Sequence, residues 1–223
     1  MSFMKETVNR TLPIWDACVE TPFLQELKEG TLPMEKFKQF LIQDSIYLKH
    51  NARVYGKAIY HSTSLRDIQL YYSILSFIDE AETSIRLSYL KKFGLTDDDI
   101  HHMTPLPENQ NCIDFILSIA EEGNIGKILM TVMPCLLSYS YIFRKLASEP
   151  GVQQSKYWDF IVEYTDEGYA SNCVSWCSFV DEKCDDLPAH EKAKLAVIFE
   201  KVSLLELDFW HMAYKSIIGV HSN

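Results

Sequence analysis

Apolar side chains recur at helical spacing along almost the whole of this chain, and no stretch sustains the alternation of period two that a half-buried strand requires. That pattern predicts an all-α fold. Gly and Pro, 8 of each in 223 residues, are too few for a turn-rich β architecture, and 47% hydrophobic residues exclude a disordered chain. With neither repeats nor a linker-like segment, residues 1–223 read as one bundle-like domain.

Local signals divide the chain into helices. Thr31 and Pro33 mark a capped start with Glu35 in the first turn, opening a helix over about 33–61. A second runs over about 66–93 and closes at Phe93-Gly94, where glycine can turn left-handed. Residues 96–110, with Asp97-Asp98-Asp99, Pro105 and Pro107, form a loop with room for one short turn. Helices follow over about 109–122, 124–148, 153–169 and 170–184, and Asp186 and Pro188 start a last one that reaches about Ile217.

Charge and punctuation exclude several functions. Against 21 Lys and Arg stand 31 Asp and Glu, a net charge of -10, which does not supply the basic surface that phosphates need. No nucleic-acid partner is expected. Residues 1–13 lack a basic start followed by an apolar run, so a cytoplasmic protein is expected. Ile128–Phe143 is interrupted by Pro134 and hydroxyl residues and reads as a buried core helix too short to span a bilayer. The six cysteines read as thiols in such a compartment. Cys173 and Cys177 do not have CxxC spacing, and the histidines form none of the E-x-x-H pairs of di-iron bundles, so no metal or cofactor is expected. The acidic runs at 79–82 and 97–99 read as solvated faces.

The informative residues are polar ones that the helical period sends inward. In the first long helix the stripe Phe37, Phe40, Leu41, Tyr47, Leu48, Asn51, Val54 has Asp44 at its centre. In the last helix Phe199, Val202, Phe209, Trp210 and Ala213 surround Glu206. Between them, Ile128, Val132, Cys135, Tyr139 and Phe143 make a third stripe. Alone, Asp44 could cap a neighbouring helix or pair with Arg53 or Lys49, Glu206 could meet Arg144 or Lys201, and Cys135 could be core filler. Together they make a nucleophile with two acid/base partners and aromatic walls for a flat ring.

Those residues carry a resemblance. Pro22-Phe23, Gly30-Thr31-Leu32-Pro33, Gln43-Asp44 with Tyr47-Leu48 and Ala52-Arg53, Met133-Pro134-Cys135 with Tyr139, and Ser203, Glu206, Phe209 and Trp210 resemble, in order and spacing, the thiaminase II (TenA) family of aminopyrimidine hydrolases. The resemblance implies a haem-oxygenase-like helical bundle and a homotetramer. It implies Cys135 as nucleophile, Asp44 beside the thiol and the exocyclic amine, and Glu206 as proton-handling acid with Tyr47 beside it. Tyr139, Tyr164 and Phe209 would complete a site for a small-molecule pyrimidine. The implied reaction is hydrolysis of 4-amino-5-aminomethyl-2-methylpyrimidine to its hydroxymethyl counterpart and ammonia, in thiamin salvage, with thiamin as a further substrate. Two residues depart from the family pattern: Thr21 replaces a histidine, and Cys112 stands where many members carry a pocket tyrosine. Hydrolysis of another aminopyrimidine or amine, or pyrimidine binding without turnover, are the alternatives.

Overall fold

The computed structural model describes residues 2–77 and 83–215, and among them every regular element is helical. Two helices that the sequence reading did not resolve come first, α1 (Phe3–Val19) and α2 (Pro22–Glu29). The stripe of α1 is partly disguised, because Thr7 and Thr11 take buried positions with their hydroxyls donating to the carbonyls of Phe3 and Val8, both at 2.9 Å. Gly30 closes α2 at φ 74°, and a Cβ there would press on the Ser155 backbone at 3.2 Å.

The expected helix from Pro33 is α3 (Met34–His61), but Thr31 does not cap it. Pro33 holds the N-cap position, and the Thr31 hydroxyl turns back to the Glu26 carbonyl at 3.4 Å. Of the helix expected over 66–93, α4 (Leu65–Phe77) and α5 (Thr83–Lys92) are helical; residues 78–82, and with them the whole 79–82 acidic run, lie outside the described residues. Gly94 does turn left-handed, at φ 69°. The following loop contains α6 (Asp97–His101), where Thr96 and Asp99 form a reciprocal capping box and the three aspartates face solvent.

Next come α7 (Pro107–Glu121) and α8 (Ile125–Ala147). At 23 residues α8 fits the helix expected over 124–148, but, against the expectation drawn from Ile128–Phe143, it is by length and composition long and apolar enough to cross a membrane. The helix continues through Pro134, and the Thr131 hydroxyl bonds back to the Ile128 carbonyl at 2.7 Å. Inside the bundle, 67% of its apolar window is buried.

The helix expected over 153–169 is instead a single 3₁₀ turn at Val152–Gln154 and a short α9 (Trp158–Glu163). Tertiary bonds hold this segment off a continuous helix: Ser155 donates to the Leu27 carbonyl at 2.7 Å and Tyr157 to the Leu32 carbonyl at 2.6 Å. Asp166 then caps Gly168 at 2.7 Å and opens α10 (Glu167–Cys184) three residues earlier than expected. The last helix, α11 (Ala189–Tyr214), starts after Pro188; the expected end at Ile217 lies outside the described residues. All six cysteines are thiols.

Helix α11 packs along α8, α1 and α7, while α3 packs on α7 and α8. Where they meet, Phe40 stacks on Trp210 (5.3 Å, 15°), with Phe23 at 5.7 Å from the same indole. Trp15 Nε1 donates to Ser203 Oγ at 3.2 Å, tying α1 to α11. This aromatic layer forms one wall of the site.

Candidate active site

Residues three and four apart share a helix face, and α3, α8 and α11 each turn such residues into one cavity, which α7 also walls. Asp44 and Tyr47 come from α3, Cys135 and Tyr139 from α8, Glu206, Phe209 and Trp210 from α11, and Cys112 from α7. Seven of the eight side chains singled out as site residues therefore meet. Tyr164 does not line the cavity; it packs behind Tyr139 at 5.1 Å and stacks on Phe143 at 4.6 Å, holding that wall in place. The space open to the centre of a water-sized sphere is about 20 Å³, enough for about one water molecule.

Both acids are deeply buried, Asp44 at 6% exposure and Glu206 at 8%. Burial disfavours the charged form and pushes both upward, but unequally. Asp44 rises to about 6, because the positive charge of Arg86 and a hydrogen bond from the Tyr139 hydroxyl (3.3 Å to Oδ1) partly compensate burial. Glu206 rises to about 8. The opposing influence there is Ser138, whose hydroxyl donates to the Cys135 carbonyl at 3.4 Å, and neither Glu206 oxygen has a hydrogen-bond partner among the described residues. Near neutral pH this site holds one ionised acid and one protonated acid, the division of labour that acid/base chemistry uses.

The pairings considered for these acids from sequence do not form. Arg53 turns to His50 at 3.1 Å, and Arg144 donates to the Thr165 and Asp166 carbonyls at 3.1 and 3.3 Å. The Tyr47 hydroxyl is likewise buried without a partner among the described residues, and burial together with the nearby Cys135, Cys112 and Glu206 holds the phenol well above its ordinary value. Burial and Glu206 likewise push the Cys112 thiol up. Cys135 is half-buried and more accessible than Cys112. Unsatisfied buried polar groups cost about 1–3 kcal/mol each, so Tyr47 and Glu206 mark where a polar ligand would be welcome. Thr21, which the sequence reading set against a family histidine, donates to the Cys18 carbonyl at 2.7 Å.

Two contributors were not assigned to the site from sequence. Trp210 lines the cavity and was visible as part of the α11 stripe. Arg86, which donates to Ser45 Oγ at 2.7 Å beside Asp44, had no such signal, since a lone cation on α5 reads as a surface residue.

Comparison with known proteins gives a consistent result. An aminopyrimidine aminohydrolase of Halalkalibacterium halodurans is 28% identical over 215 residues, covering 96% of each chain. A protein of the same name from Helicobacter pylori is 27% identical over 205 residues, 91% of this chain and 94% of that one. Among solved structures, a protein described as a TenA family transcription regulator from Silicibacter sp. superposes with a TM-score of 0.85 at 23% identity, over 96% of this chain and 97% of its own. A Shewanella denitrificans domain described as having a haem-oxygenase-like fold gives 0.73 at 16% identity, over 95% of this chain and 91% of that one. The fold is thus the haem-oxygenase-like helical bundle. The TENA/THI-4/PQQC family matches residues 8–216. Since that match spans α3, α7, α8 and α11, which carry every residue of the cavity, the chain belongs to the TENA/THI-4/PQQC family.

Proposed function

We propose that this protein is an aminopyrimidine aminohydrolase of thiamin salvage, converting 4-amino-5-aminomethyl-2-methylpyrimidine and water to the hydroxymethyl pyrimidine and ammonia, with thiamin as a further substrate. The observation that carries this reading is the accessible thiol Cys135 sharing a cavity with two buried acids of unequal strength. The names of the bacterial relatives support the same substrate class.

In this reading the ring lies between Phe209 and the tyrosines, with its exocyclic amine at Asp44. Asp44, ionised above about 6, takes the proton from Cys135 Sγ, and the thiolate adds to the ring carbon beside the one bearing the methylene. Glu206, still protonated near neutral pH, delivers its proton to a ring nitrogen, so the added electrons do not build up as negative charge. The ring electrons then expel ammonia from the protonated aminomethyl group, leaving an exocyclic methylene, and the ring nitrogen returns its proton to Glu206. Water adds to that methylene, its hydroxyl bonding to carbon while its proton passes through Glu206 to the ring nitrogen. The carbon–sulfur bond then breaks, the departing Cys135 thiolate recovers its proton from Asp44, and the nitrogen of the restored aromatic ring gives its proton to ammonia, which leaves as ammonium. Tyr47 and Tyr139 orient the two acids and the ring. The cytoplasm as location and a homotetramer as assembly belong to the same proposal.

One observation favours a second substrate: Cys112 lies in the cavity wall, where a thiol leaves more room than a phenol would. Hydrolysis of a bulkier aminopyrimidine or amine fits that wall. The deciding experiment measures ammonia release from the aminomethyl pyrimidine beside cleavage of thiamin. Turnover of the former sustains the proposal, whereas inactivity toward both refutes it and turns attention to the second substrate.

A further inference from the structure

Helices α3 and α7 lie side by side and run in the same direction. Gln43 bonds to residues 106 and 109, and fourteen residues further along α3, Lys57 bonds to Glu121 at 2.9 Å, so the pairing keeps an almost constant offset. The Gln43 end of this seam is a polar joint. Gln43 Oε1 accepts from the Leu106 backbone N–H at 2.9 Å and from Asn109 Nδ2 at 3.0 Å. The same Asn109 nitrogen donates to the Gln43 backbone carbonyl at 2.8 Å, and Gln43 Nε2 reaches the Thr104 carbonyl at 3.5 Å. Both side chains are buried, Asn109 completely, and Asn109 Oδ1 has no partner among the described residues. An asparagine with an unsatisfied buried acceptor is a costly residue. What it contributes here is its donor, directed twice at Gln43.

The joint adjoins the site on both sides. Gln43 precedes Asp44 in α3, and Asn109 lies one turn before Cys112 in α7, the sole contribution of α7 to the cavity wall. Buried polar pairs between helices are best attested as devices that fix register. A slip of α7 by one turn, about 5.4 Å, would break all four bonds and move the Cys112 wall relative to Asp44 and Tyr47.

We propose that the Gln43–Asn109 joint is a positioning device that sets the wall at Cys112, so that Gln43 and Asn109 govern how well the pocket accepts its substrate without touching it. The catalytic consequence rests on the function proposed above; the positional one does not. The test uses Gln43→Met, Asn109→Leu and the double variant in the full-length protein. Iodoacetamide modification of each cysteine is followed by mass spectrometry, with Cys18, fully buried on α1, as internal reference.

Each single variant is expected to raise the rate at Cys112 relative to Cys18 at least about fivefold, as local opening of the seam would. The double variant removes the orphaned partner side chain but, like Gln43→Met alone, leaves the Leu106 N–H without its acceptor, so it should be no worse than Gln43→Met. In the ammonia-release assay, kcat/KM should fall at least about tenfold, mainly through KM. An unchanged Cys112 to Cys18 ratio overturns the proposal. So does a parallel rise at both cysteines, which would mean general loosening. If the wild-type protein turns over no pyrimidine, the functional reading fails while the labelling ratio still decides the joint.

Discussion

Replacing Glu206 with Gln should stabilise the folded protein, and the gain should grow with pH. The folded carboxyl is held at about 8 against an ordinary value of 4.5, because α11 places it in the interior without a hydrogen-bond partner among the described residues. A raised folded value means that the folded state keeps a proton the unfolded chain releases. Its contribution to stability is fully present below about 4.5 and is lost as pH rises through about 8. At about 1.4 kcal/mol per tenfold, the loss approaches ~3 kcal/mol at neutral pH and ~5 kcal/mol once the folded group ionises. Gln fills the same space and cannot ionise, so the variant escapes this loss. In thermal unfolding followed by circular dichroism, wild type and variant should differ little near pH 4. Near pH 7 the variant should unfold roughly 6–12 °C higher, at about 2–4 °C per kcal/mol for a chain of this size. A difference that stays constant between those two pH values would refute the reasoning, because it would show that Glu206 does not retain its proton on folding. The same variant should lose most of its turnover while keeping much of its affinity for the pyrimidine, since the proton is needed only as the transition state forms.

Cys135→Ala should abolish ammonia release with helical content intact, and calorimetry should still detect binding of the pyrimidine product; residual hydrolysis would remove Cys135 as nucleophile. For the wild type, kcat/KM should be bell-shaped, rising as Asp44 ionises at about 6 and falling as Glu206 ionises at about 8. Asp44→Asn should remove both the acid limb and most of the activity. Tyr139→Phe keeps the ring but withdraws the hydroxyl that lies 3.3 Å from Asp44, so the acid limb should move upward by less than about one pH unit; a downward shift in the same titration would contradict the assigned bond.

The core of the site was legible because each acid interrupts an apolar stripe. Asp44 lies among Phe37, Phe40 and Tyr47, and Glu206 among Val202, Phe209 and Trp210, and in both helices the period alone sends the carboxyl inward. Features set by distant partners were not legible. The break that separates α9 from its expected length depends on Ser155 and Tyr157 reaching carbonyls more than a hundred residues earlier, which no local pattern announces. Helix α1 was hidden because two of its buried positions are threonines that satisfy their own hydroxyls. The extent of α8 was legible despite Pro134, since the helix expected over 124–148 runs through it; what was underestimated is the reach of its apolar stretch, read as ending at Ile128 and Phe143. Arg86 shapes the acidity of Asp44 from α5, and only the folded arrangement relates those two positions.

The tightness of the cavity also bears on how fast anything can enter it. About 20 Å³ of free space is far below the roughly 300 Å³ at which small-molecule sites begin, so a ring cannot enter until walls formed by Phe209, Trp210 and Tyr139 separate. Association must then wait on protein motion. The observed binding rate should level off as ligand concentration rises, and its plateau, measured by stopped-flow tryptophan fluorescence of a variant that keeps Trp210 and carries Trp15→Phe, Trp158→Phe and Trp176→Phe, would time the opening itself.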